Sequence, residues 1–249
     1  MESQLPSGSK FYPQEEPKGG VILFHAYTGT PADVNLVGRL LNRHGYEVAL
    51  PQFAGHGTGQ LDDLFQAGTQ DWLQDAQASL AFMKERSYDK LFVFGLSLGG
   101  LFATWCLIHE PAVYAGGVFN SPVVTEKPVD VIGNFLPYAQ YLYKQAGKTQ
   151  ADFLQDEAAL MRGYYQQMQA INKFQMSLQA GLEMIDKPFF IAQSGADEMI
   201  EAEDAKRLQH SLPQADVDFN WYPDNTHVIT VNRERDQFER DLLQFIDYS

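Results

Sequence analysis

A mostly parallel α/β sheet of about six to seven strands, with helices on both faces, is the fold class this sequence predicts. Two observations carry the prediction. Short apolar runs at residues 21–24, 47–50, 91–94, 115–119 and 189–193 are too brief for helices, and most lack the in–out alternation of a half-exposed strand. Between most of them lie segments with helical spacing of apolar residues, so strand and helix alternate. Residues 11–12 open the chain as a short edge strand, broken by Gly19-Gly20 from the first long strand. Thr30-Pro31 has the form of an N-cap followed by proline at the first helical position, which predicts a helix running from there to about Gly45. Thr69 to Trp72 starts another, with Trp72, Ala76, Leu80 and Met83 on one face. Residues 217–221 form the last strand, and a final helix from about 233 to 247 turns Phe238, Leu242 and Phe245 inward.

The alternation stops between residues 121 and 186. Tyr, Gln, Met and Leu crowd there into two helical stretches, 156–171 and 174–185. The chain is therefore expected to form a core from residues 1–120 and 187–249, with 121–186 inserted as a small helical cap over the carboxyl ends of the strands. Ala26, Tyr138, Tyr141, Met161, Tyr164, Tyr165, Met168 and Met176 are the residues expected to wall a substrate pocket.

Gly95-Leu96-Ser97-Leu98-Gly99-Gly100 follows the apolar run 91–94. It reads as a strand turning sharply into a helix with Ser97 at the apex, flanked by glycines because side chains would clash in so tight a connection. A serine nucleophile needs a base and an acid to orient it. Asp197 lies in the loop after the strand at 189–193, and His227 in the loop after the strand at 217–221, so both project from carboxyl ends of strands, as does Ser97. Ser97, Asp197 and His227 are the expected triad. Glu198 and Asp224 are the rival acids. His25 and His56 precede the serine in turn-prone loops, His44 and His109 sit near helix ends, and His210 falls on an amphipathic run.

The formal charge of −14 argues against nucleic acid or an anionic membrane as partner. One cysteine, Cys106, excludes an intrachain disulfide and sits on an apolar helix as a small core residue. No Cys/His cluster has metal-ligand spacing, so neither a metal nor an organic cofactor is expected. Residues 1–20 are polar and contain no apolar stretch of a secretory signal, and no run is long enough to span a bilayer, which predicts a cytoplasmic protein without stable membrane insertion.

Several separated motifs resemble one family: Val21 to Asp33 with its His25-Ala26-Tyr27-Thr28-Gly29 centre, Leu50 to Gly57, the elbow at Gly95 to Gly100, Asp197-Glu198-Met199-Ile200 and Thr226-His227-Val228-Ile229. In this order they are similar to the small capped bacterial carboxylesterases of the α/β-hydrolase superfamily, and also to monoacylglycerol lipases. The resemblance implies an oxyanion hole from the backbone N–H groups of Tyr27 and Leu98, and hydrolysis of small-molecule esters through an acyl-enzyme; the small size and polar amino terminus favour short to medium acyl chains. Longer acyl chains, as in a monoacylglycerol lipase, are the alternative; amide or thioester hydrolysis and a non-catalytic ligand-binding relative are further ones. Ala26 stands where the family usually has glycine, and alanine prefers negative φ, so this loop is expected to bend slightly differently.

Overall fold

The computed structural model describes residues 3–249. Its centre is a seven-stranded sheet in the order β1-β3-β2-β4-β5-β6-β7, parallel throughout except for the edge strand β1. The strands are β1 (Lys10–Tyr12), β2 (Gly20–Phe24), β3 (Glu47–Leu50), β4 (Leu91–Leu96), β5 (Ala115–Phe119), β6 (Phe189–Ser194) and β7 (Val217–Tyr222). The continuous apolar runs are explained by two cores, one on each face. In β2, Ile22 and Phe24 point into one core while Val21 and Leu23 point into the other; in β6, Phe189 and Ile191 oppose Phe190 and Ala192 in the same way.

Helices α3 (Thr69–Lys84) and α4 (Leu98–His109) cover the first face, with Trp72, Leu80, Leu101 and Phe102 buried. Helices α1 (Asn35–Arg43) and α8 (Arg235–Tyr248) cover the second with Val37, Leu41, Phe238 and Leu242. The inward residues expected of α3 and α8 are buried as the periodicity requires. Short helices α2 (Leu61–Gln66) and α7 (Asp204–His210) fill connections.

The sequence reading does not foresee the helices at 61–66 and 132–145, and it places two others differently. The first helix begins at Asn35, because residues 31–34 form a turn in which Asp33 N–H donates to Thr30 O at 2.9 Å while the Asp33 carboxylate accepts from Ala26 N–H at 3.3 Å. Residues expected to form two helices form one, α6 (Gln150–Leu182), entered through a capping box of Thr149 and Asp152. Asn172 sits where the break was expected. Its side chain accepts from Val129 N–H at 2.7 Å and donates to Val129 O and Met168 O, so its polar groups are satisfied without ending the helix.

Helices α5 (Ile132–Gln145) and α6 lie between β5 and β6 in the chain. α6 packs on α2, α3 and α4; Phe174 stacks on Phe102 with centroids 4.9 Å apart.

Candidate active site

Ser97 sits between β4 and α4 at φ 52°, a left-handed conformation unfavourable for a residue with a side chain. The turn is close enough that a Cβ on Gly95 would collide with the Gly99 carbonyl, and one on Gly99 would lie 2.5 Å from Phe24 O and 2.7 Å from His25 O. Glycine at these positions is therefore a steric requirement. Ser97 N–H donates to Phe119 O at 2.9 Å, and its carbonyl accepts from Ser121 Oγ at 2.7 Å, which fixes the elbow to the end of β5.

Asp197 and His227 meet. The imidazole Nδ1 is 2.8 Å from Asp197 Oδ2 and 2.9 Å from Oδ1, and both side chains are buried. Asp197 Oδ1 also accepts from the backbone N–H groups of Met199 at 2.9 Å and Ile200 at 3.1 Å, so the loop that follows β6 holds the carboxylate in place. A carboxylate can only accept, so in the neutral ring Nδ1 carries the hydrogen and Nε2 the lone pair. That Nε2 is buried and has no hydrogen-bond partner. Glu198, the rival acid, instead accepts from the backbone N–H of His227 at 2.9 Å. Asp224 is exposed, and its backbone N–H is bound by Glu234.

Ser97, Tyr27 and Leu98 line one cleft together with Leu101, Pro122, Val129, Val131, Met168, Ile171, Met199 and Ile200. The cleft is narrow, with about 20 Å³ of free volume, space for about one water. Pro122, Val129, Met199 and Ile200 also border a wider cavity of about 410 Å³ that carries Glu126, Asp130, Glu201 and Arg207. An apolar slot at the serine thus adjoins a polar chamber.

The loop that carries Tyr27 is held by His25. This buried histidine joins Nδ1 to Ala26 O at 2.8 Å and accepts the Phe53 N–H on Nε2 at 3.1 Å. Burial, with His56 beside it, pushes its pKa down to about 3, so the ring stays neutral and keeps one donor and one acceptor. Burial likewise lowers His56 to about 4. The positive-φ non-glycine residues among those described are Thr28, Ser87, Ser97 and Asn120, so the bend in this loop is taken at Thr28 (φ 59°) and alanine at position 26 meets no left-handed strain. Tyr27 is tied through its hydroxyl, which donates to Gln167 Oε1 at 2.6 Å, while Gln167 donates to Leu64 O and Ala67 O.

Of the expected pocket residues, Met168 lines the cleft. Ala26, Tyr138 and Met161 are partly buried against the cores. Tyr164 is buried but serves structure: its hydroxyl accepts Val131 N–H at 2.7 Å and donates to Asp130 at 2.6 Å, and its ring stacks on Phe135. Tyr141, Tyr165 and Met176 are 56%, 53% and 67% exposed and face solvent, because they fall on the side of α5 and α6 away from the sheet. His44 caps α1, His109 ends α4, and His210 is exposed on α7. Cys106 is fully buried, its thiol pushed up by burial. Sequence reading missed Asn120, Ser121 and Gln167. An asparagine directly after a strand is a signal for a left-handed residue, whereas nothing local marks Gln167 among its neighbours.

The parallel sheet, the elbow after β4 and the acid and histidine loops after β6 and β7 define an α/β hydrolase. The chain belongs to the serine aminopeptidase, S33 family, which matches residues 15–235. It is 28% identical over 233 residues to a carboxylesterase of Bacillus subtilis (strain 168), covering 92% of this chain and 94% of that protein. A thermostable monoacylglycerol lipase of Bacillus sp. (strain H-257) is 32% identical over 115 residues, 45% of either chain. Among solved structures, one from the work on LipS and LipT, two metagenome-derived lipolytic enzymes, superposes with a TM-score of 0.76 at 19% identity over 99% of this chain and all of that one, a likeness of fold. Among the described residues, no helix is long and apolar enough to cross a membrane.

Proposed function

We propose that this chain is a serine carboxylesterase acting on short- to medium-chain esters. The observation that carries the reading is the buried, unpartnered Nε2 of His227, held by Asp197 in the tautomer a general base needs. Ser97 Oγ attacks the ester carbonyl as His227 Nε2 takes its proton. The oxyanion is received by the N–H groups of Tyr27 and Leu98, each worth about 10²–10³ in kcat when aimed at it. His227 then protonates the leaving alcohol, and a water activated by the same nitrogen releases the acid. The inserted segment acts as the cap, walling the cleft with Val129 and Val131 ahead of α5 and with Met168 and Ile171 on α6.

The family description names an aminopeptidase, and an ester is favoured here by the lining of the cleft. A free peptide amino terminus calls for a carboxylate beside the serine. The residues that line the cleft are apolar apart from Ser97 and the Tyr27 hydroxyl, which is already bound to Gln167, and the carboxylates Glu126, Asp130 and Glu201 line the adjoining chamber instead of the cleft. Acyl groups beyond the smallest displace Met168 and Met199, unbranched side chains that yield readily.

The test is a rate series on p-nitrophenyl esters from acetyl to palmitoyl, beside an aminoacyl p-nitroanilide, with wild type and Ser97→Ala. A peak at short or medium acyl length, lost in the folded mutant, supports the reading. A peak at palmitoyl makes it a long-chain lipase. Turnover of the anilide alone makes it a peptidase, and turnover by Ser97→Ala overturns the serine mechanism.

A further inference from the structure

We infer that Asn120 is a positioning residue for His227, an inference that rests on the esterase reading above. The sheet poses the problem it solves. Ser97 follows β4 and His227 follows β7, three strand spacings away, about 14 Å at the usual interstrand distance. The loop after β7 therefore has to travel back across the ends of β6 and β5 to bring its imidazole to the serine, and something must hold it there.

Asn120 is the residue directly after β5, the neighbour of β4. It is fully buried and takes φ 44°, a conformation Asn tolerates better than other side-chain-bearing residues but still at a cost. Its side chain ties the last residue of β6 to the loop after β7. Oδ1 accepts from Ser194 N–H at 2.7 Å, and Nδ2 donates to Ser194 Oγ at 2.8 Å and to the backbone carbonyl of His227 at 2.6 Å. The amide orientation is unambiguous, since a backbone N–H needs an acceptor and a carbonyl needs a donor. The adjoining residues complete a brace: Phe119 O and Ser121 Oγ hold the backbone N–H and carbonyl of Ser97. One three-residue segment, Phe119-Asn120-Ser121, thus grips the nucleophile on one side and the base on the other. His227 is held from other parts of the fold at three points, Nδ1 by Asp197, N–H by Glu198 and carbonyl by Asn120, and within its own loop the carbonyl also accepts from Ile229 N–H at 3.0 Å. The carbonyl contact is the one that reaches back toward β4.

Two variants separate placement from packing. Asn120→Gly accepts the left-handed backbone and deletes the side chain. Asn120→Asp keeps the shape and replaces the donor facing His227 O with an acceptor. Each is assayed on a p-nitrophenyl ester, with active sites counted by a fluorophosphonate and melting temperature recorded, so that misfolded protein does not enter kcat. Both are expected to lose about 10² in kcat per titrated site, the penalty of a base displaced by about 1 Å, with KM unchanged. Wild-type kcat in either variant overturns the inference, as does a rise in KM with kcat preserved. Should Asn120→Gly fail to fold, the isosteric Asn120→Asp carries the same test. If Ser97→Ala in the same series is inactive, only the positioning role has failed; if Ser97→Ala is active, the esterase mechanism itself has failed.

Discussion

Asp197→Asn tests the proposed triad most sharply, because the structure dictates how the new amide must sit. Asp197 Oδ1 accepts two backbone N–H bonds, from Met199 at 2.9 Å and Ile200 at 3.1 Å, and only an oxygen can stay there. The amide nitrogen is then forced into the place of Oδ2, 2.8 Å from His227 Nδ1. Two N–H groups repel at that distance, which outweighs the remaining acceptor Oδ1 at 2.9 Å and drives the ring to the tautomer in which Nδ1 accepts. The hydrogen moves to Nε2, and the imidazole can no longer take the proton of Ser97. A serine hydrolase with its histidine held in that tautomer loses about 10⁴ in kcat, about 5 kcal/mol of transition-state stabilisation. The substitution is nearly isosteric and keeps both loop hydrogen bonds, so the melting temperature should change little. The assay is kcat on p-nitrophenyl butyrate beside thermal unfolding of both proteins. A folded Asp197→Asn protein within tenfold of wild type would refute the assignment of Asp197 as the orienting acid.

Two further predictions address the proposed oxyanion loop. In Gly99→Ala the new Cβ would meet Phe24 O and His25 O, backbone atoms that cannot rotate aside. Overpacking of this kind costs roughly 1–3 kcal/mol, a fall of roughly 2–12 °C in melting temperature for a chain of this size, and kcat should fall with it because the displaced segment leads into Tyr27; unchanged melting would show that the elbow has slack. Asp33 is pushed up to about 6 by burial, outweighing its hydrogen bonds from Ala26 and Thr30. Its folded pKa lies above its unfolded one, so the folded state holds a proton the unfolded chain has lost between about pH 4 and 6, and this group costs stability as pH rises through that window, on the order of 3 kcal/mol by pH 7. Asp33→Asn should therefore gain on wild type in urea unfolding from pH 4 to 6, with a constant gap above; a gap that shrinks or stays level across the window contradicts the burial argument.

Most of the sheet and the three residues proposed as a triad were legible because their signals are local. A buried parallel strand is a short apolar run. The elbow announces itself by glycines that the packing of Gly95 and Gly99 requires, and Asp197 and His227 stand immediately beyond runs that form β6 and β7. What stayed hidden is what distant segments do to each other. The helical face of α6 shows that some residues point inward, but not that Gln167 would reach the Tyr27 hydroxyl 140 positions away. Asparagine competes with the helix backbone, and Asn172 is carried inside α6 because Val129 from another part of the chain, together with Met168 O, satisfies it in place. Tyr141 and Tyr165 are aromatic and lie in the expected cap, yet face solvent; composition alone does not say which side of an amphipathic helix meets the sheet.

His25 shows how a residue set aside as a base can still be required by the same chemistry. An oxyanion donor works only if it is in place before charge develops, so the role proposed for Tyr27 requires its loop to be held without help from substrate. Holding it calls for a rigid group with a donor at one end and an acceptor at the other, spanning from Ala26 O to Phe53 N–H, and a neutral imidazole is such a group. A protonated ring would have two donors and lose the Phe53 bond. Burial that holds the pKa near 3 removes that alternative across the working range. The two histidines at the centre of this fold are thereby assigned opposite duties by their surroundings. His227 keeps a free nitrogen and gives the other to a carboxylate, and His25 has both nitrogens engaged in a site that forbids charge.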